Sequence, residues 1–180
     1  MLFRSDDDRV PVVARSSLLL LLVTQLSLLN DQILENDRNV RASARSTEVG
    51  IRLMEVPGVG PVLASAIVAA VPDPAAFKTG RDLAAWIGLV PKQNSSGGKE
   101  KLGGITKQGD RYLRQLLVIG ALAVIRYAQR HGTKRPWLVK LLARRTPKIA
   151  AVALANKMAR MIWAMMMTGE RYRDPVVAAA

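Results

Sequence analysis

An all-α fold is predicted by three features of the sequence. Leucines and isoleucines recur in a heptad register from Leu19 onward, later apolar runs repeat at helical spacing, and prolines and glycines stand where those runs start and stop. At 180 residues the chain holds about one domain. The predicted architecture is an N-terminal coiled-coil helix, then a helix-hairpin-helix-containing helical domain with a basic Gly/Ser-rich loop.

Residues 1–16 are mixed and charged and read as a flexible leader. Residues 17–44 read as a coiled-coil dimerisation helix. Leu19, Leu26, Ile33 and Val40 occupy one seam position, and Leu22, Leu29 and Asn36 the other. A polar Asn in such a seam fixes register between two helices, so a homo-oligomer through this helix is expected. Residues 45–174 form the main domain, and 175–180 a tail.

Within the main domain, a helix after Arg45 and Ser46 ends at Val56-Pro57, since proline biases the residue before it away from helix. Gly58-Val59-Gly60 turns the chain, and Pro61 suits the first position of the next helix, whose apolar residues run from Val62 to Ala70. Val71-Pro72-Asp73-Pro74 stops it. Thr79 is placed to cap a short helix carrying Leu83, Trp86 and Ile87, closed by Gly88. Residues 91–108 contain Gly97, Gly98, Gly103, Gly104, paired serines and four lysines, which predicts a basic loop or short hairpin. Asp110 caps a long helix reaching about Arg130. Two more helices follow, Trp137 to Arg144 and Lys148 to about Thr168, the last ending at Gly169.

Charge is segregated. The chain carries 27 Lys and Arg against 14 Asp and Glu, a net charge of +13, and its pI is near 10.9. Residues 91–150 alone hold 14 of the cations and only Glu100 and Asp110 as anions. A merely solvated surface mixes signs, so this distribution points to a polyanionic partner, DNA above all. A basic membrane-surface helix protein is the weaker alternative.

Other chemistries are excluded by composition. With no cysteine and His131 as the one histidine, the chain has no disulfides, no thiol chemistry and no multi-Cys/His zinc site. Absent cysteines, and Asp6, Asp7 and Asp8 where a signal peptide has its basic region, predict a cytoplasmic protein. The longest uninterrupted apolar runs, Leu18–Val23 and Leu116–Ile125, are far below the roughly 20 residues that cross a bilayer, so no membrane association is expected. His131 reads as a helix-end residue, and Trp86, Trp137 and Trp163 as core.

Two sites stand out. Gly58 and Gly60 let backbone amides approach a phosphate at a helix start, although a Gly-x-Gly turn between packed helices needs no ligand. Ser95 and Ser96 lie among Lys92, Lys99, Lys101, Lys107, Arg111 and Arg114. A hydroxyl without a nearby base is a poor nucleophile, so the serines alone read as ordinary loop. The cations around them suit a phosphoryl group better than an acyl oxyanion, or act as plain phosphate clamps.

Taken in order, Val56–Pro61, Phe77–Pro91, Ser95–Lys99, Leu102–Lys107, Gly109–Arg114 and Ala153–Lys157 resemble the C-terminal transposase domain of bridge-RNA-guided insertion-sequence transposases. The type is insertion sequence 110/1111, related to the Piv DNA invertases. The resemblance covers about residues 45–174, and residues 17–44 resemble that family's coiled-coil element. It implies a serine that attacks the DNA backbone to form a phosphoserine link, with Ser96 the best match and Ser95 the alternative. It also implies a guide RNA, and a RuvC-like domain whose four carboxylates hold Mg²⁺. Nothing in residues 1–44 matches such a domain, so this chain is expected to bind no metal or other cofactor and not to cut DNA alone. A non-catalytic helix-hairpin-helix DNA- or RNA-binding remnant is the alternative.

Overall fold

The computed structural model describes residues 11–94, 102–132 and 135–174. These residues form seven α-helices, a three-residue 3-10 turn and one two-stranded ribbon. The described residues are thus mostly helical, and the basic segment takes the short-hairpin form of its two expected alternatives.

The chain divides into two units, residues 1–40 and 41–180. The described residues of the first lie almost wholly in α1 (Val12–Arg45). It begins inside the segment read as leader, directly after Pro11, whose carbonyl accepts from Arg15 N at 3.1 Å. Its seam residues Leu19, Leu22, Leu26, Leu29 and Ile33 are all exposed in the single chain. Counting uninterrupted apolar runs understates two helices. α1 and α7 are each long and apolar enough to cross a membrane by length and composition, and somewhat under half of that stretch of α7 is buried inside the domain.

The second unit is built on two long helices of similar length, α5 (Arg111–His131) and α7 (Pro147–Thr168), which share the most extensive helix contact. Both helices bury small residues, Gly120, Ala121 and Ala128 on α5 and Ala151, Ala155 and Ala159 on α7, in a core that also holds Leu117, Ile125, Met158 and Ile162. α2 (Glu48–Leu53), α4 (Gly80–Trp86) and α6 (Pro136–Arg144) pack on α7, while α3 (Pro61–Ala70) packs on α5 and α2.

The punctuation acts as its chemistry demands. Thr79 Oγ1 accepts from Asp82 N, and Asp82 Oδ2 accepts from Thr79 N at 2.9 Å, a reciprocal capping box. Asp110 Oδ1 accepts from Leu113 N at 2.9 Å and starts α5. Pro61 is the first residue of α3, and Gly169, with φ +71, ends α7. The tryptophans depart from expectation: Trp86 and Trp137 are 40% and 39% exposed, and only Trp163 is half-buried, its indole Nε1 donating to Pro74 O. His131 stacks beside Tyr127 at the end of α5, exposed as expected.

Candidate nucleic-acid interface

The hairpin that carries the basic segment grows out of the core. Ile87 and Leu89 are each 1% exposed, and β1 (Pro91–Gln93) follows directly. It pairs antiparallel with β2 (Leu102–Ile105), Pro91 opposite Ile105 and Gln93 opposite Leu102, with a bulge between. Below the strands the stalk continues through Thr106 N to Val90 O at 2.9 Å and Lys107 N to Gly88 O at 3.2 Å. Ser95, Ser96, Lys99 and Lys101, in the segment joining the strands, lie outside the described residues.

Two side chains hold this stalk from below. Arg114 Nη1 donates to Ile87 O at 2.7 Å and, at the limit of length, to Gln108 O at 3.4 Å. Asn156 Nδ2, from α7, donates to Leu89 O at 3.1 Å. The Ile87 and Leu89 carbonyls follow the short α4, and these half-buried side-chain donors satisfy them. Arg114 is thus engaged with the protein backbone, whereas Lys92, Lys107 and Arg111 are exposed. Lys107 adopts φ +58, which turns the chain from β2 toward α5. Asn156 was not singled out by sequence reasoning. A lone amide amid the apolar residues of Ala153–Lys157 was its signal.

The basic face extends beyond the hairpin. Arg126, Arg130, Lys140, Arg144, Arg145 and Lys148 are all exposed. Arg135 is tied to Asp174 at 3.1 Å. Asp110, the one described carboxylate of this region, caps α5 and forms no ion pair with these cations among the described residues. Between the hairpin and α7 lies a cleft of about 650 Å³, lined by Leu89, Pro91, Ile105, Ile149, Val152 and Asn156, with Lys148 at its margin.

The two turn glycines separate. Gly58, with φ +90, presses its backbone against Gly120 of α5, whereas a Cβ on Gly60 meets nothing within 4 Å. Gly60 caps α3 without a side-chain hydrogen bond. Among the described residues, no three His, Asp or Glu side chains gather as metal ligands.

At the C-terminal end of the domain, Arg52 Nη1 donates to Gly169 O at 2.9 Å and Tyr172 N donates to Glu55 Oε2. Burial pushes the Tyr172 hydroxyl above its ordinary value of 10.0, against the opposing pull of the Arg135 charge.

Residues 51–135 match the Transposase IS116/IS110/IS902 family. Among similar proteins, one from Sinorhizobium fredii named as transposase y4pF/y4sB is 48% identical over 79% of this chain and 38% of its own length. A Pseudomonas aeruginosa protein named as a family 20 transposase is 45% identical over 83% of this chain and 44% of its own length. The transposase for insertion sequence element IS1111A of Coxiella burnetii is 42% identical over 84% of this chain and 42% of its own length. The chain thus spans less than half the length of the curated relatives it matches. The turn at Gly58, the hairpin stalk and α5 all fall inside the segment that matches the IS116/IS110/IS902 transposase family.

Proposed function

We propose that this chain is the serine-bearing, DNA-binding part of a transposase that works with a RuvC-like domain and a guide RNA. The observation that carries the reading is the hairpin: it joins two strands through a segment containing Ser95 and Ser96, and it stands among exposed cations within a matched transposase domain.

In this reading Ser96 Oγ attacks a phosphodiester phosphorus. A serine–phosphate ester forms, one phosphorus–oxygen bond of the strand breaks, and the departing oxygen takes up a proton as a hydroxyl. A strand hydroxyl attacking the ester later reverses the step and frees the serine. Lys92, Lys107 and Arg111 offset the charge gathering on the phosphoryl oxygens. The residues described here do not fit Mg²⁺, and none is assigned to it; that ion belongs to the RuvC-like domain.

Binding involves the rest of the basic face and the α2–α3 turn, read as a helix-hairpin-helix whose Gly60 and α3 start approach a backbone phosphate. The exposed α1 seam pairs with a second copy, and the protein acts in the cytoplasm.

The test is adduct trapping with a RuvC-like domain supplied. Ser96→Ala is expected to abolish the covalent protein–DNA product while DNA affinity stays within about twofold, because a lost hydroxyl removes no charge from the interface. Ser95→Ala retains the product. A full-strength adduct from both variants overturns the nucleophile assignment and leaves the non-catalytic binder.

A further inference from the structure

A second basic site lies on the other side of Asn156 from the hairpin cleft. Here the start of α4, α6 and α7 enclose a groove of about 720 Å³. Arg81, Lys157 and Arg160 line it, and no carboxylate does. None of the three is in an ion pair among the described residues. Arg81 and Arg160 are exposed, and Lys157 holds its Nζ 4.6 Å from the centre of the Trp137 ring. Three unpaired cations around one groove repel each other and gather counterions, which a polyanion displaces with a gain in entropy. The exposed Trp137 adds a flat apolar surface, which a phosphate backbone alone has no use for and an unstacked base does.

Position supplies the second argument. Asn156 lines both this groove and the cleft under the hairpin, so the two adjoin along α7 with Asn156 between them. From Lys148 to Arg160 the helix rises about 18 Å at 1.5 Å per residue, room for several nucleotides.

We propose that this groove binds an unpaired polynucleotide strand leading away from the hairpin, held by Arg81, Lys157 and Arg160 and stacked at Trp137. The proposal rests on the nucleic-acid reading above but concerns residues outside the 91–150 basic region, apart from Trp137 and Lys148. DNA and RNA share the chemistry.

The experiment titrates the full chain against fluorescein-labelled 15-mers of oligo(dT) and oligo(rU) and a 15-base-pair duplex, over a salt series. Lys157→Gln/Arg160→Gln is expected to weaken oligomer binding about tenfold or more and to flatten the log–log salt slope by about 1.4, at about 0.7 per lost contact on a single strand. Lys157→Arg/Arg160→Lys keeps the slope. Trp137→Leu weakens oligomer binding at least about fivefold with the slope unchanged, as lost stacking requires. Duplex affinity changes less than about threefold in each variant, since the duplex contacts lie at the hairpin. A tighter oligo(rU) complex assigns the strand as RNA, and a tighter oligo(dT) complex as DNA. Should the first variant melt early by circular dichroism, Arg81→Gln/Arg160→Gln, both exposed, makes the same test.

Unchanged oligomer binding in the charge variants overturns the proposal. So does an equal loss on duplex and single strand. If Lys92→Gln/Lys107→Gln loses the duplex while the groove variants keep full oligomer binding, the groove fails and the hairpin reading stands. A wild-type chain that binds neither nucleic acid overturns both.

Discussion

Gly58 and Gly120 meet backbone to backbone, the turn between α2 and α3 resting on the middle of α5. A Cβ on Gly58 lies 2.7 Å from the Gly120 carbonyl oxygen, and one on Gly120 overlaps the carbonyl oxygen of Gly58. Neither overlap can be relieved by a rotamer change. Gly58 also has φ +90, which side chains avoid. Gly58→Ala and Gly120→Ala are each expected to cost about 2–4 kcal/mol, combining backbone strain with overpacking of the core. Gly60→Ala, which points into open space, costs about 1 kcal/mol or less. Urea unfolding of the three variants checks this, and a Gly58→Ala protein as stable as wild type refutes the contact.

Arg114 and Arg111 sit three residues apart on α5 but in different surroundings, the first bonded to the backbone and the second exposed. Arg114→Gln removes a charged donor from the Ile87 carbonyl and is expected to destabilise the fold by about 1.5–3 kcal/mol. Arg111→Gln leaves stability within about 0.5 kcal/mol, as exposed substitutions do, and reduces the salt dependence of DNA binding. Thermal melts paired with salt titrations separate the two. Equal effects on stability from both variants contradict the assignment.

Asn156 bears on the mobility of the hairpin. With Asn156→Leu the Leu89 carbonyl loses its donor, a change of about 1–3 kcal/mol for a buried unsatisfied group. Because the stalk hangs from that carbonyl, amide exchange at Thr106 and Lys107 is expected to speed up more than exchange in the middle of α5. Uniform acceleration across the domain indicates plain global destabilisation instead.

Tyr172 gives the chain an alkaline limit. Its hydroxyl titrates higher in the folded protein than in the unfolded chain, chiefly because burial disfavours the phenolate. The unfolded state therefore loses its proton first. The associated stability is fully present below the ordinary value of 10.0 and is lost as pH rises through the higher folded value. Tyr172→Phe removes that alkaline component and leaves stability near pH 7 little changed. Denaturant unfolding at a series of pH values above 8 measures it, and identical alkaline profiles for the two proteins refute it.

Much of the local structure was legible from residue chemistry. Thr79, Asp110, Pro61 and Gly169 mark helix ends because caps and breakers act on their own neighbours in sequence, with no help from the rest of the fold. The concentration of cations in 91–150 is likewise a property of the chain. The β-hairpin was read only as an option beside a loop, since its strands are three and four residues long, too short for periodicity to register, and two of the four residues of β2 are glycines.

Partnership was another matter. Gly58 and Gly60 look alike as sequence, as do Arg111 and Arg114, and the three tryptophans all read as core. Each pair or set divides only when distant segments come together: α5 closes on Gly58, the Ile87 carbonyl takes Arg114, and α7 leaves Trp137 at a groove edge beside Lys157. The sequence by itself determined where helices begin and end and where positive charge accumulates, because those follow from neighbours along the chain. Only the tertiary structure decided which glycine, arginine and tryptophan are engaged by the rest of the fold and which stay exposed, because burial and hydrogen-bond partners are set by contacts between residues far apart in sequence.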